Sequence, residues 1–139
     1  MHVEKSVRIA APADEIWRVL ADIERWPEWT ASMQRVERLD DGEFTVGSRA
    51  RVQQPKLRPA IFEVTESTPG ESFVWRARVS GTEMLAGHYL RPDGDATLTR
   101  LTFDHTGALA GVIDLFYGKL IREYVGMETA GLRRHCEAA

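Results

Sequence analysis

The chain has 139 residues, 43% of them hydrophobic and 28% charged, with a formal net charge of -3 at pH 7. That length suits one core spanning residues 1–139 and leaves no room for two, and the composition is that of a folded domain rather than a disordered or membrane-spanning one. Charges of both signs are interspersed, which speaks against a phosphate-tracking surface, so no nucleic-acid partner is expected.

In chain order, His2 to Ile9 comes first, with Val3, Val7 and Ile9 on one parity, the period-2 sign of a half-buried strand. Pro12 suits a first helical turn, Asp14 and Glu15 complement its positive end, and Ile16, Trp17, Leu20 and Ile23 form an apolar stripe. Trp26-Pro27 should interrupt this helix, leaving Glu28 to Met33 for one more turn or two. Six short extended runs follow: Arg35 to Leu39, Ser48 to Gln54, Pro59 to Ser67, Ser72 to Val79, Thr82 to Arg91 and Ala96 to Thr106. Turns at Asp40-Asp41-Gly42, Pro69-Gly70, Ser80-Gly81 and Pro92-Asp93-Gly94-Asp95 separate most of them, as in an antiparallel meander. From about Gly111 to Cys136, Ile113, Phe116, Tyr117, Leu120, Ile121, Tyr124, Val125, Met127 and Leu132 recur at helical spacing. Arg122, Glu123, Glu128, Arg133 and Arg134 fall largely elsewhere. Gly118, Gly126 and Gly131 each weaken such a helix by about 1 kcal/mol relative to alanine, so packing must hold it.

The expected class is therefore α+β: a seven-stranded curved antiparallel sheet wrapped around a long C-terminal helix, with two short helices after the first strand. A sheet of that width curls under its own twist, and one helix cannot fill its concavity, so an internal cavity is expected. By parity Phe62, Val64, Phe73, Trp75, Ala77, Met84, Ala86, His88, Leu90, Leu101, Phe103 and His105 point inward. An apolar lining with few polar groups suits a small apolar ligand. The expected ligand-binding residues are Phe62, Phe73, Trp75, Met84, His88, Leu101, Phe103 and His105 from the sheet, with Phe116, Tyr117, Leu120 and Tyr124 from the helix. The mouth should lie near Pro55 to Pro59, Ser80-Gly81 and the start of the long helix.

The stretch Ile9-Ala10-Ala11-Pro12 through Trp26-Pro27-Glu28-Trp29 resembles the opening of the polyketide cyclase/dehydrase and lipid transport family, part of the START-like, pollen-allergen-like SRPBCC superfamily. Ser67-Thr68-Pro69-Gly70-Glu71-Ser72-Phe73-Val74-Trp75 and Leu90-Arg91-Pro92-Asp93-Gly94-Asp95-Ala96-Thr97-Leu98-Thr99 look like its later hairpins, so the resemblance spans essentially the whole chain. It implies the helix-grip fold, and either carriage of an apolar lipid, polyketide or aromatic metabolite or a cyclase or aromatase chemistry. Fold alone does not choose between these.

His88 and His105, on neighbouring strands, could serve as general acid and base on an enolisable chain. No orienting carboxylate is identifiable by spacing, and Asp104 should point to the opposite face from His105, so no catalytic residue is assigned. Tyr117 and Tyr124 could offer hydroxyls to a ligand, whereas Arg76, Arg78 and Arg100 should face solvent. His2, His88, His105 and His135 show no metal-ligand spacing, and phosphate loops and nucleophile elbows are missing, so neither metal nor cofactor is expected. Cys136 has no companion for a disulfide, and no leader or spanning segment is evident, so cytoplasmic residence as a monomer or homodimer is expected. A protein-docking role would need an exposed basic or apolar patch, which the balanced charges do not suggest.

Overall fold

The computed structural model describes residues 1–138. Strands β1 (His2–Ile9), β2 (Arg35–Arg38), β3 (Arg49–Gln53), β4 (Ala60–Thr68), β5 (Ser72–Val79), β6 (Thr82–Asp93) and β7 (Ala96–Gly107) form one sheet in the order β1-β7-β6-β5-β4-β3-β2. Every pairing is antiparallel, so β2 to β7 are a meander and β1 adds to its far edge. Helix α1 (Ala13–Ala21) and a 3₁₀ turn (Ile23–Glu28) follow β1, and helix α2 (Ala110–Glu137) closes the chain.

The register explains why one face of the sheet becomes the core. Phe73 pairs with His88, Trp75 with Ala86 and Ala77 with Met84; in the next ladder Met84 pairs with His105, Ala86 with Phe103 and His88 with Leu101. Directly opposed residues share a face, so the inward set read by parity is a continuous surface. Outward, Arg100 stacks over the Tyr89 ring at 4.3 Å and Arg78 lies 3.6 Å from Glu83. The β5–β6 turn carries positive φ at both Ser80 (51°) and Gly81 (75°), the paired left-handed geometry that matches hairpin twist.

The short helices sit differently from expectation. The 3₁₀ turn runs through Trp26-Pro27 instead of being broken there. A two-turn 3₁₀ segment needs few backbone donors, so the missing proline N–H costs little, and the fully buried Trp26 donates its indole N–H to the Leu20 carbonyl at 3.1 Å, fixing the bend. Trp26 then packs against Trp29, Phe73, Trp75 and His88. Phe44, from the loop between β2 and β3, joins this cluster edge-on to Phe73 at 5.1 Å.

Helix α2 crosses β1 and β7 and touches α1. Its buried residues concentrate in the second half, at Tyr124, Val125, Thr129, Gly131 and Leu132, with only Ala110 and Gly118 in the first. At Gly131 the helix backbone approaches the 29–30 segment so closely that a Cβ would lie 2.0 Å from the Trp29 carbonyl oxygen. Only glycine fits there.

Candidate functional site

Between the sheet and the first half of α2 lies a cavity of about 410 Å³. Val52, Ala60 and Phe62 of β3 and β4, Met84 of β6 and Phe103 of β7 form its sheet wall, and Ile113, Tyr117 and Ile121 of α2 close it. It reaches the surface at Lys56 and Arg58, exposed residues of the β3–β4 connection, and at Ser80. That opening lies where the sequence puts the mouth. Lys56 holds a left-handed φ of 66°, uncommon for a residue with a side chain and typical of functional loops.

Deeper in, a smaller chamber of about 40 Å³ shares Val52, Gln54, Phe62, Phe103 and Ile121 with the first and ends among Trp26, Trp75, His88, Leu101, Tyr124 and Glu128. Here polar groups meet an apolar wall. His88 is 4% exposed, stacks on Phe73 at 4.1 Å and lies with Nδ1 3.3 Å from the Phe73 carbonyl. Burial without a counter-charge pushes its pKa down to about 4, only partly offset by that carbonyl, so the ring is neutral near pH 7. Glu128 is half-buried as a residue, yet its carboxyl is surrounded by protein; lost hydration pushes its pKa up to about 7 against the opposing hydrogen bond from the Ser32 hydroxyl at 3.4 Å. Tyr124 donates its hydroxyl to the Pro55 carbonyl, tying α2 to the mouth loop.

At the outer cavity wall His105 is 5% exposed and engaged through both ring nitrogens. Nδ1 lies 2.6 Å from Asp114 Oδ1 on the second turn of α2, and Nε2 lies 2.8 Å from Thr82 Oγ1. The Thr82 hydroxyl also sits 2.7 Å from the Val79 carbonyl. With Nδ1–H donated to Asp114, Nε2 and the Val79 carbonyl compete for the single Thr82 proton, so the hydroxyl can turn between them. A His oriented by a carboxylate and facing a hydroxyl beside a cavity has the parts of a proton-transfer unit.

Of the twelve residues expected to contact a ligand, Phe62, Trp75, Met84, His88, Leu101, Phe103, His105, Tyr117 and Tyr124 border one or both chambers. Three do not. Phe73 is fully buried behind His88, packed by Trp17, Phe44 and Trp26. Phe116 is 76% exposed on the far side of α2, and Leu120 is half-buried outside the cavity wall. The first turns of α2 are apolar on several sides, so spacing alone did not choose the buried face. Glu128, assigned by spacing to the polar face, turns its carboxyl inward.

The two histidines also separate. Met84 opposes His105 and His88 opposes Leu101, so they stand four residues apart along the ladder, roughly 13 Å at strand spacing. Instead of each other, His105 has Asp114, a partner on the next element that no local spacing rule identifies. Asp104 points to the outer face as expected, where it meets His2 at 2.6 Å. Among the described residues no group of His, Cys, Asp and Glu is placed to hold a metal ion, and no helix is long and apolar enough to cross a membrane.

Comparison with known proteins gives the same architecture. The aromatase/cyclase Zhui from a Streptomyces species superposes with a TM-score of 0.82 at 20% identity, over 99% of this chain and 93% of that one. A Helicobacter pylori hypothetical protein gives 0.83 at 13% identity over 98% and 88%, and a START superfamily protein from Mycobacterium smegmatis 0.74 at 19% over 98% and 97%. At these identities the likeness establishes the fold. In sequence, a provisionally named polyketide cyclase from Streptomyces cyaneus is 35% identical over 78 residues, covering 55% of this chain; the match takes in about half, 51%, of that relative's length. Residues 1–137 match the family described as polyketide cyclase/dehydrase and lipid transport, and the chain, with its helix-grip sheet and long closing helix, belongs to that family.

Proposed function

We propose that the chain binds, without covalent change, a small molecule with an apolar body in the cavity between the sheet and α2. The observation that carries this reading is the 410 Å³ space itself, within the range of roughly 300–1,000 Å³ usual for small-molecule sites. Its walls are mostly aliphatic and aromatic, so a hydrocarbon or aromatic ring gains burial there, and its polar groups gather at the ends. Gln54, His88, Tyr124 and Glu128 stand at the inner end and Lys56, Arg58 and His105 at the outer. Native mass spectrometry of freshly purified protein, with organic extraction of any companion, tests the reading, followed by calorimetric titration with decanoate and with naphthol. A protein that carries no companion and gives no heat with either probe would sink it.

A second reading, cyclase-type proton transfer on an enolisable chain, is favoured by one observation: the Asp114–His105–Thr82 chain at the cavity wall. Asp114 would orient the ring and His105 would move the proton, with Thr82 as relay. Deuterium exchange into the central carbon of benzoylacetone, followed by NMR, should be accelerated by the protein and return to the background rate in His105→Asn. Equal rates in the two proteins would leave only the binding reading.

A further inference from the structure

The start of α2 is apolar on the side that needs no covering. Leu109 is 53% exposed, Val112 59%, Leu115 82% and Phe116 76%, all within eight residues. The same turns send Ile113, Asp114 and Tyr117 to the cavity, so this segment is apolar both towards the protein and away from it. A helix apolar all round is normally covered on both sides, and a contiguous exposed patch of this kind marks an interaction surface. Along that outer face, at helical spacing from Leu115 and Phe116, come Lys119 and Arg122, both exposed. Across the mouth stand Lys56 and Arg58, also exposed. Among the described residues none of these four cations has an ion-pair partner; Lys5, Arg91 and Arg134 elsewhere on the surface are also exposed without one, whereas Arg49, Arg51 and Arg78 are paired. The acids of the same turns are Asp114, which is held by His105, and Glu123.

We propose that this face, apolar at its centre and basic at its rim, docks on an anionic lipid bilayer with the cavity mouth turned towards the membrane. Leu115 and Phe116 protrude rather than line a groove, which suits insertion among acyl chains more than a fitted protein hollow. The basic rim matches an anionic headgroup layer, and each cation near such a surface strengthens binding. A second copy of this chain on the same face would bring the two sets of unpaired cations together, an unfavourable pairing in an isologous contact. Docking in this pose would let an apolar molecule pass between bilayer and cavity with little exposure to water. The docking surface itself rests on the exposed residues and not on what the cavity holds.

Co-sedimentation with vesicles of phosphatidylcholine alone, and of phosphatidylcholine mixed with phosphatidylglycerol, tests the proposal. The full chain should partition onto the anionic vesicles and far less onto the neutral ones, and added salt should weaken the binding. Leu115→Ser with Phe116→Ser should lower the partition constant by about tenfold or more, and Lys119→Ser with Arg122→Ser by about fivefold per cation removed. All four positions are exposed, so unchanged circular dichroism and urea midpoint should accompany these losses. The proposal is overturned if neither vesicle binds, or if both double variants bind as the parent does. It is equally overturned if sedimentation velocity shows a dimer that Leu115→Ser with Phe116→Ser dissociates while vesicles take up no protein. Vesicle binding that fails while decanoate or naphthol still binds would remove this docking surface and leave the cavity reading in place.

Discussion

His105 of β7 is held to Asp114 of α2 by a contact of 2.6 Å between a ring nitrogen and a carboxylate oxygen, so two side chains nine residues apart join strand to helix at the cavity wall. Asp114→Asn keeps the shape and weakens this charge-assisted bond, at an expected cost of about 1–3 kcal/mol in urea unfolding. A double-mutant cycle with His105→Gln should give a coupling energy above about 1 kcal/mol. Additive single losses would show that the pair contributes nothing jointly.

Two buried groups at the inner chamber make opposite pH dependences. His88 titrates near 4 when folded and 6.5 when unfolded, so its contribution is complete above pH 6.5 and lost as pH falls towards 4, by about 3 kcal/mol in all. Glu128 titrates near 7 when folded and 4.5 when unfolded, so its contribution is complete below pH 4.5 and lost as pH rises towards 7, by about 3 kcal/mol. Between these limits the two slopes oppose each other. Relative to the parent, stability of His88→Leu should therefore tilt downwards with rising pH across about pH 4.5 to 6.5, and that of Glu128→Gln upwards. Urea midpoints measured across that range check this; parallel curves for all three proteins would contradict both assignments.

Two glycines of α2 should respond to alanine with opposite signs. At Gly126 a Cβ would meet nothing within 4 Å, so Gly126→Ala should stabilise by up to about 1 kcal/mol through helix propensity. At Gly131 it would collide with the Trp29 carbonyl oxygen at 2.0 Å. Backbone must shift there, and a loss of about 2 kcal/mol or more is expected. Thermal and urea unfolding of the two variants suffice to compare them.

Filling the cavity separates lining residues from bystanders. Met84→Trp places a larger side chain in the outer chamber and should lower naphthol affinity about tenfold or more with little change in unfolding midpoint. Phe116→Ala, on the exposed face, should leave that affinity within about twofold. A reversed pattern in calorimetry would place the binding site outside this cavity.

The sheet was legible because its signals are local: the hairpin turns at Pro69-Gly70, Ser80-Gly81 and Pro92 to Asp95 mark the strand ends, and parity counted from them puts Trp75, Met84, His88 and Phe103 on one face. Helix α2 was legible as a helix but not in its rotation, since Ile113, Leu115, Phe116 and Tyr117 surround its first turns and only the packing decides that Leu115 and Phe116 face out. Asp114 as the partner of His105, and Glu128 turned towards Ser32, are contacts between separate elements. Neither leaves a mark in spacing. Phe73 points inward as its parity implies, but its depth behind the His88 ring depends on Trp26 of the 3₁₀ segment and Phe44 of the β2–β3 loop arriving from outside the sheet.

The close approach of Gly131 to Trp29 makes α2 a beam held at both ends. One support is the buried second half, where the helix backbone rests on the Trp29 carbonyl, and the other lies near the start of the helix, where Asp114 meets His105 and the Met1 ammonium. The cavity lies beneath the span between them, which at about 1.5 Å per residue is roughly 25 Å long. Its width thus depends on two contacts far apart in the chain, and loosening either one changes the space without altering the lining.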